Sequence, residues 1–279
     1  MPKVAFESVR PKKPFWQHWT LIKAFGERDL KSKFNGTALG WAWSLVVPLA
    51  TLGIYTLVFG GLFKMVPPSI SSRHEGIGVF AVWMFAGLTV WSFFLNSINA
   101  GIGGLLSSGG LLQKVYFPAY APVLGAAVAV AVQSGIEVVL LLVVLAALGN
   151  ISWTWLLVPL LIVLLTGFTA GLAVAFAIWN VHVRDLAHLI GVFLQLMFYA
   201  TPIIYVPTIV PETFRGLPAR ALVEGMPIAE YIGLFRSLVY ELNPGELRDW
   251  VACFFWALLS VCFGAFVYRR WGADLGERI

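Results

Sequence analysis

Apolar residues in this chain gather in long blocks rather than in short periodic stripes. Asp, Glu, Lys and Arg are absent from residues 34–63, 76–113, 186–211 and 250–268, and from 115–183 apart from Glu137. A helix needs about 20 apolar residues to cross a bilayer, so the blocks predict six spans, at 37–63, 77–100, 119–148, 153–179, 189–206 and 249–268. Pro48 removes one backbone bond and predicts a bend in the first span. Gly149, Asn150, Ile151 and Ser152 make so short a link that the third and fourth spans form an antiparallel hairpin.

Between the blocks the pattern changes. Phe15, Trp19, Ile22 and Phe25 recur every three or four residues with Gln17, Lys23 and Glu27 between them, which predicts a helix lying in the membrane interface, and Asn35 and Gly36 end it. Residues 101–110 hold five glycines and two serines, which predicts a flexible connector. In 207–246, Ile228, Tyr231, Ile232, Phe235 and Val239 repeat helically, with Glu230, Arg236 and Glu241 on other faces. This stretch predicts short re-entrant helices dipping into the outer leaflet.

The expected fold is all-α, a polytopic membrane protein of one domain. It comprises a basic arm and interfacial helix (1–36), spans one to five (37–206), gate-like helices (207–248), the sixth span (249–268) and a tail (269–279). Composition agrees with a bilayer as solvent: 59% of the 279 residues are hydrophobic and 12% charged, against about 25% charged in soluble domains, and the mean hydropathy is +0.83.

Charge sets the orientation. Thirteen of the 19 Lys and Arg fall on the side of the two ends and six on the other, so the positive-inside rule makes both ends cytoplasmic. The arm before Gly36 lacks the continuous apolar core of a cleavable signal and is expected to stay on the mature protein. The net charge of +5 suits this orientation and anionic lipid; no nucleic-acid motif competes.

Catalytic signatures are missing. No glycine loop ends in Gly-Lys-Ser or Gly-Lys-Thr, so ATP hydrolysis, with its ATP and magnesium, is expected on another chain and no cofactor on this one. His18, His74, His182 and His188 are scattered, without metal-ligand spacing. Cys253 and Cys262 lie about 13 Å apart along one helix and cannot bridge within a chain. No nucleophile elbow or carboxylate pair marks an enzyme.

A few residues remain as candidates. Glu137 is the one ionisable group deep in a predicted span; it reads either as a polar point on a transport path or as a protonated side chain bonded to Gln133 or Ser134. Tyr55, Trp91, Phe93, Phe94, Phe193, Phe198, Tyr199 and Tyr205 read either as walls of a conduit that stacks on sugar faces or as helix packing and lipid contact. Arg28, Lys31 and Lys33, where the first span meets the headgroups, read either as topology anchors or as holders of an anionic lipid headgroup. Gly167 and Gly171 permit a close helix approach.

Four stretches, in this order, resemble the permease subunits of ABC exporters for O-antigen, capsule and teichoic-acid polymers: RDLKSKFNGTALGWAWSLVVPL (28–49), AGLTVWSFFLNSI (86–98), LLQKVYFP (111–118) and NVHVRDLAHLIGVFLQLMFYATPIIYVP (180–207). The chain departs from that family at Gly225, Met226 and Pro227, where Asn-Pro is usual, and at Glu137, where a small residue is usual. The resemblance implies an inner-membrane homodimer bound to two copies of an ATPase subunit, moving an undecaprenyl-pyrophosphate-linked glycan outward. It also implies that Gln113, Lys114 and Tyr116, with Arg184 and Asp185, face the ATPase. A permease for a drug or small lipid is the rival within the class; a secondary transporter would need an acid relay that the spans lack.

Overall fold

The computed structural model describes residues 15–34, 36, 38–64, 78–114, 117–183, 185–272 and 275. Among them every regular element is helical, apart from one bridge between Phe214 and Leu217. Five stretches are long and apolar enough to cross a membrane: Gly40–Leu62, Phe80–Ser107, Tyr120–Ala147, Trp153–His182 and Leu247–Trp271. Leu186–Ala200 is apolar but shorter. The chain is an all-α polytopic membrane protein.

The helices are α1 (Phe15–Phe34), α2 (Trp43–Tyr55), α3 (Gly78–Ser107), α4 (Gly109–Leu112), α5 (Tyr120–Ala147), α6 (Val158–His182), α7 (Leu186–Ala200), α8 (Ala219–Glu224), α9 (Pro227–Arg236) and α10 (Leu247–Trp271). The first span opens on a 3-10 turn, Gly40–Ala42, carries Pro48 inside α2 and ends in a π-helical turn, Thr56–Leu62. At the centre stands α3, packed by α5, α6 and α9. Its Trp83, Met84, Trp91, Phe94 and Ile98 are all buried.

The seam between α6 and α10 depends on missing side chains. A Cβ on Gly171 would strike the Ser260 backbone, and one on Gly264 would lie 3.1 Å from the Gly171 carbonyl carbon. With the backbones this close, the Ser260 hydroxyl donates to the Phe168 carbonyl at 2.5 Å. Gly167 faces the same helix with ordinary spacing, 3.8 Å to Ala257.

Three expectations are revised. The glycines of 101–110 do not form a loose connector over their whole length, because α3 runs unbroken to Ser107. A Cβ on Gly101 would sit 2.8 Å from Ala173 and 3.0 Å from Val123, and one on Gly104 would sit 3.2 Å from the Pro122 carbonyl oxygen. These glycines thin the helix so that α5 and α6 can close on it, and that packing offsets a helix-propensity cost of about 1 kcal/mol each. The connector shrinks to α4, Gln113 and Lys114.

Helix α1 does more than rest at an interface. It follows α5 lengthwise: Phe25 meets Phe117 with ring centroids 5.3 Å apart, Gly26 lies against Gly125, and Lys33 bonds Gln133. Ile22 and Phe25 are buried in this contact, whereas Trp19 stays exposed. Ile22 and Phe25 of the apolar stripe therefore face protein, and Trp19 does not.

The fifth span is the third revision. Helix α7 stops at Ala200, and Thr201 turns to extended backbone (φ −82°, ψ 139°). Pro202 explains the stop: it disfavours helical dihedrals in the residue before it and offers no N–H to continue the ladder. Fifteen residues rise only about 22 Å.

Candidate functional site

Three regions carry the candidate residues: the end of the bundle where α1 meets the short turns, the outward faces of the first span and α7, and the opposite end built around α9.

At the α1 end, Arg28 is already occupied. It pairs with Asp29 at 2.9 Å and lies over the Phe25 ring at 4.9 Å. Lys33 donates to the Gln133 side chain, one turn before Glu137 on α5. Neither Gln133 nor Ser134 is hydrogen-bonded to Glu137 among the described residues, so the bond expected within α5 is not formed. Lys31 is exposed on the same helix end.

Gln113 and Lys114, exposed, follow α4 closely, and Phe117 beneath them is the residue on which Phe25 packs. Asp185 is exposed in the turn between α6 and α7. The buried Asn180 accepts from the Ala187 amide at 2.8 Å and so caps α7 across that turn. An N-terminal amide of α7 is thereby satisfied and the turn stiffened. Tyr116 and Arg184 lie outside the described residues, as do Lys3, Arg10, Lys12, Lys13, Arg73 and His74.

The aromatic candidates divide. Trp91, Phe93 and Phe94 are buried in α3, with Trp91 on Phe198 at 5.7 Å and Phe94 stacked on Phe168 at 5.8 Å. Within one chain these rings are helix packing. Phe193 (57% exposed) and Tyr199 (65% exposed) stand on the open face of α7 with Leu189, Val192 and Leu196. Tyr55 and Phe198 are half-buried. Tyr205 folds back to donate to the Ala200 carbonyl at 2.7 Å. The first span has a comparable open face, including Trp43, Val47, Ile54 and Leu57. Both elements touch the rest of the chain sparsely.

At the far end, α9 is bolted to its surroundings by polar side chains. Tyr231 donates to the Cys253 carbonyl of α10 at 2.6 Å. The π-helical turn Ser237–Glu241 leaves carbonyls outside the usual ladder; Thr154 donates to Leu238 at 2.7 Å and Asn150 to Val239 and Tyr240 at 3.1 Å. Arg236 is 5% exposed. Its Nε donates to the Trp83 carbonyl at 3.2 Å, Nη1 to Pro202 at 2.8 Å and Nη2 to Ile203 at 2.6 Å, while the guanidinium lies 3.5 Å from the centre of the Trp83 ring. Burial lowers its pKa from the ordinary value, and the nearby Glu241 and Tyr240 oppose that shift. Gly87 makes the room, since a Cβ there would overlap the guanidinium.

Arg236 corrects the sequence reading, which put it on a face other than that of Ile228 and Ile232. It follows Ile228 and Ile232 at intervals of four, and that spacing puts it on their buried stripe. The signal of Asn150, Thr154 and Asn180 in the sequence is weak, because one Asn or Thr in or beside a span has many possible partners.

Comparison with known proteins adds what geometry does not. Residues 20–231 match the model of the ABC-2 type transporter family. The chain is 28% identical over 235 residues to the O-antigen export system permease protein RfbA of Myxococcus xanthus, covering 84% of this chain and 85% of that one. It is 25% identical over 234 residues to an O-antigen export system permease protein RfbA of Klebsiella pneumoniae, covering 83% and 84%. With the family match spanning most of a helical bundle of this topology, the chain belongs to the ABC-2 type transporter family.

Proposed function

We propose that this chain is the membrane-spanning subunit of an ATP-driven exporter that carries an undecaprenyl-pyrophosphate-linked polysaccharide of the O-antigen class across the inner membrane. The observation that carries the reading is the likeness, over more than four fifths of the chain, to permeases named for O-antigen export. Two copies of the chain would meet through the open faces of the first span and α7, which one chain leaves without protein partners and which hold Phe193 and Tyr199. Rings on such a wall suit a sliding sugar polymer, since they stack without fixing it.

Two copies of an ATPase subunit, holding ATP and magnesium, would dock on the cytoplasmic side. Gln113 and Lys114, with Asp185 in the stiffened turn, are the contacts we assign to them, together with Tyr116 and Arg184. Both ends of the chain would lie in the cytoplasm. Of the basic cluster, Lys31 is the one we assign first to the pyrophosphate, because Arg28 and Lys33 already have partners.

The test is co-purification with the ATPase encoded beside it, and deletion in the native cell. A two-plus-two assembly and loss of surface glycan, with lipid-linked glycan accumulating inside, are expected. Normal surface glycan in the deletion strain would overturn the reading. Stimulation of the purified complex by a drug-like amphiphile and not by lipid-linked glycan would favour the small-substrate permease.

A further inference from the structure

A buried charge without a carboxylate partner needs a reason. Among the described residues Arg236 forms no ion pair, yet it is almost wholly enclosed. Taking a guanidinium out of water costs several kcal/mol, and an apolar side chain of similar size would ordinarily serve packing better. What Arg236 gains is a set of carbonyls. Pro202 and Ile203 are buried in a run where α7 has stopped, so their oxygens have no helical donors. Irregular backbone at membrane depth persists only where protein satisfies it.

The arrangement has a mechanical side. Helix α7 packs sparsely along its length and presents much of its surface outward. At its first end it is tied by Asn180, and just beyond its last residue by Arg236. The same guanidinium binds α3 through Trp83, and its own helix α9 is held to α10 through Tyr231. The hydrogen bonds that the described residues outside 197–206 make to the buried 201–203 break come from Arg236 alone.

We propose that Arg236 is a positioning residue that makes the far end of α7 move together with α9 and α3, so that a shift of α7 at one end of the transport path is delivered to the re-entrant helices at the other. The proposal rests on the exporter reading. The planar fork is what the role requires, because it reaches two successive carbonyls while stacking on a ring; a lysine carries the charge but spans one of them poorly.

The test uses the full chain in complex with its ATPase, with Arg236→Gln, Arg236→Lys and Gly87→Ala made singly and Gly87→Ala also combined with Arg236→Gln. Gly87→Ala displaces the guanidinium without changing it, and so checks the idea from the opposite side. The readouts are complex assembly, ATP turnover, glycan exported per ATP, and amide hydrogen exchange over 201–209. Expected are normal assembly, ATP turnover within about twofold, faster exchange at 201–206, and export per ATP reduced about tenfold or more in Arg236→Gln and Gly87→Ala. Arg236→Lys should fall between, and the combined variant should be no worse than the worse single one.

Export per ATP unchanged in either variant, despite faster exchange, would overturn the proposal and leave Arg236 as a local fastener. Unchanged exchange would overturn it too. If Arg236→Gln fails to assemble, Gly87→Ala decides alone, and its failure as well would make the residue a folding determinant only. A wild-type complex that assembles but moves no lipid-linked glycan would count against the exporter reading instead, and the exchange arm would still judge the tether.

Discussion

Glu230 shows how a single side chain can report on the region around α9. Burial, then the neighbouring Asp249, raises its pKa above the ordinary carboxylate value; Arg248 opposes the shift and Glu224 adds to it. A carboxyl whose pKa is raised by folding contributes most when protonated, and that contribution is lost as the pH climbs through the folded value. Glu230→Gln, which fixes the neutral form, is therefore expected to raise the thermal unfolding midpoint of the solubilised protein at about pH 8 and to leave it nearly unchanged at about pH 4. An equal gain at both ends of that range would mean that the charge is already relieved. At the other end of the bundle, Lys33 and Glu137 form a second residue-scale test. If their attraction holds α1 on α5, then Lys33→Glu and Glu137→Lys should each loosen α1 to limited proteolysis, and the double exchange should restore part of the protection. No recovery in the double variant would leave the Gln133 bond as the fastening.

Among the elements, those readable from sequence share one property: their signal was continuous along the chain. Spans three, four and six fell within a few residues of the stretches Tyr120–Ala147, Trp153–His182 and Leu247–Trp271, because a bilayer-length apolar run has few alternatives. Span two began beside the start of α3 but stopped seven residues short of its end. What escaped was contact between elements. Gly101 and Gly104 read as flexible because composition cannot tell a glycine that loosens a loop from one that lets a neighbour approach. Arg236 read as off the apolar stripe because it is charged, although its spacing from Ile228 and Ile232 put it on their face. The aromatic residues could be counted but not divided; burial separates Trp91 and Phe94 from Phe193 and Tyr199. The seam of α6 and α10 offers a direct check at this scale. Gly171→Leu should cost about 3 kcal/mol or more through overpacking, seen as a lower unfolding midpoint in detergent, whereas Gly167→Ala, with ordinary clearance at 3.8 Å, should be nearly silent.

For the whole molecule, the open faces of the first span and α7 decide whether one chain is complete. If they meet across a two-fold axis, a charge on α7 should be felt by both copies: Leu196→Arg is expected to shift the solubilised protein from dimer to monomer, read by mass photometry, while Leu160→Arg on the outward side of α6 should not. Equal behaviour of the two variants would place the joint elsewhere. The short length of α7 also bears on the lipid around the protein. A helix rising about 22 Å faces a hydrocarbon layer about 30 Å thick, and the chain beyond Ala200 turns into protein rather than continuing through lipid. Where acyl chains reach this helix outside the joint between the two copies they must compress, and the strain grows as the tails lengthen. In liposomes of graded acyl length, export should therefore be fastest in the thinner bilayers, and a membrane thinned beside α7 would also shorten the distance a lipid-borne pyrophosphate must climb.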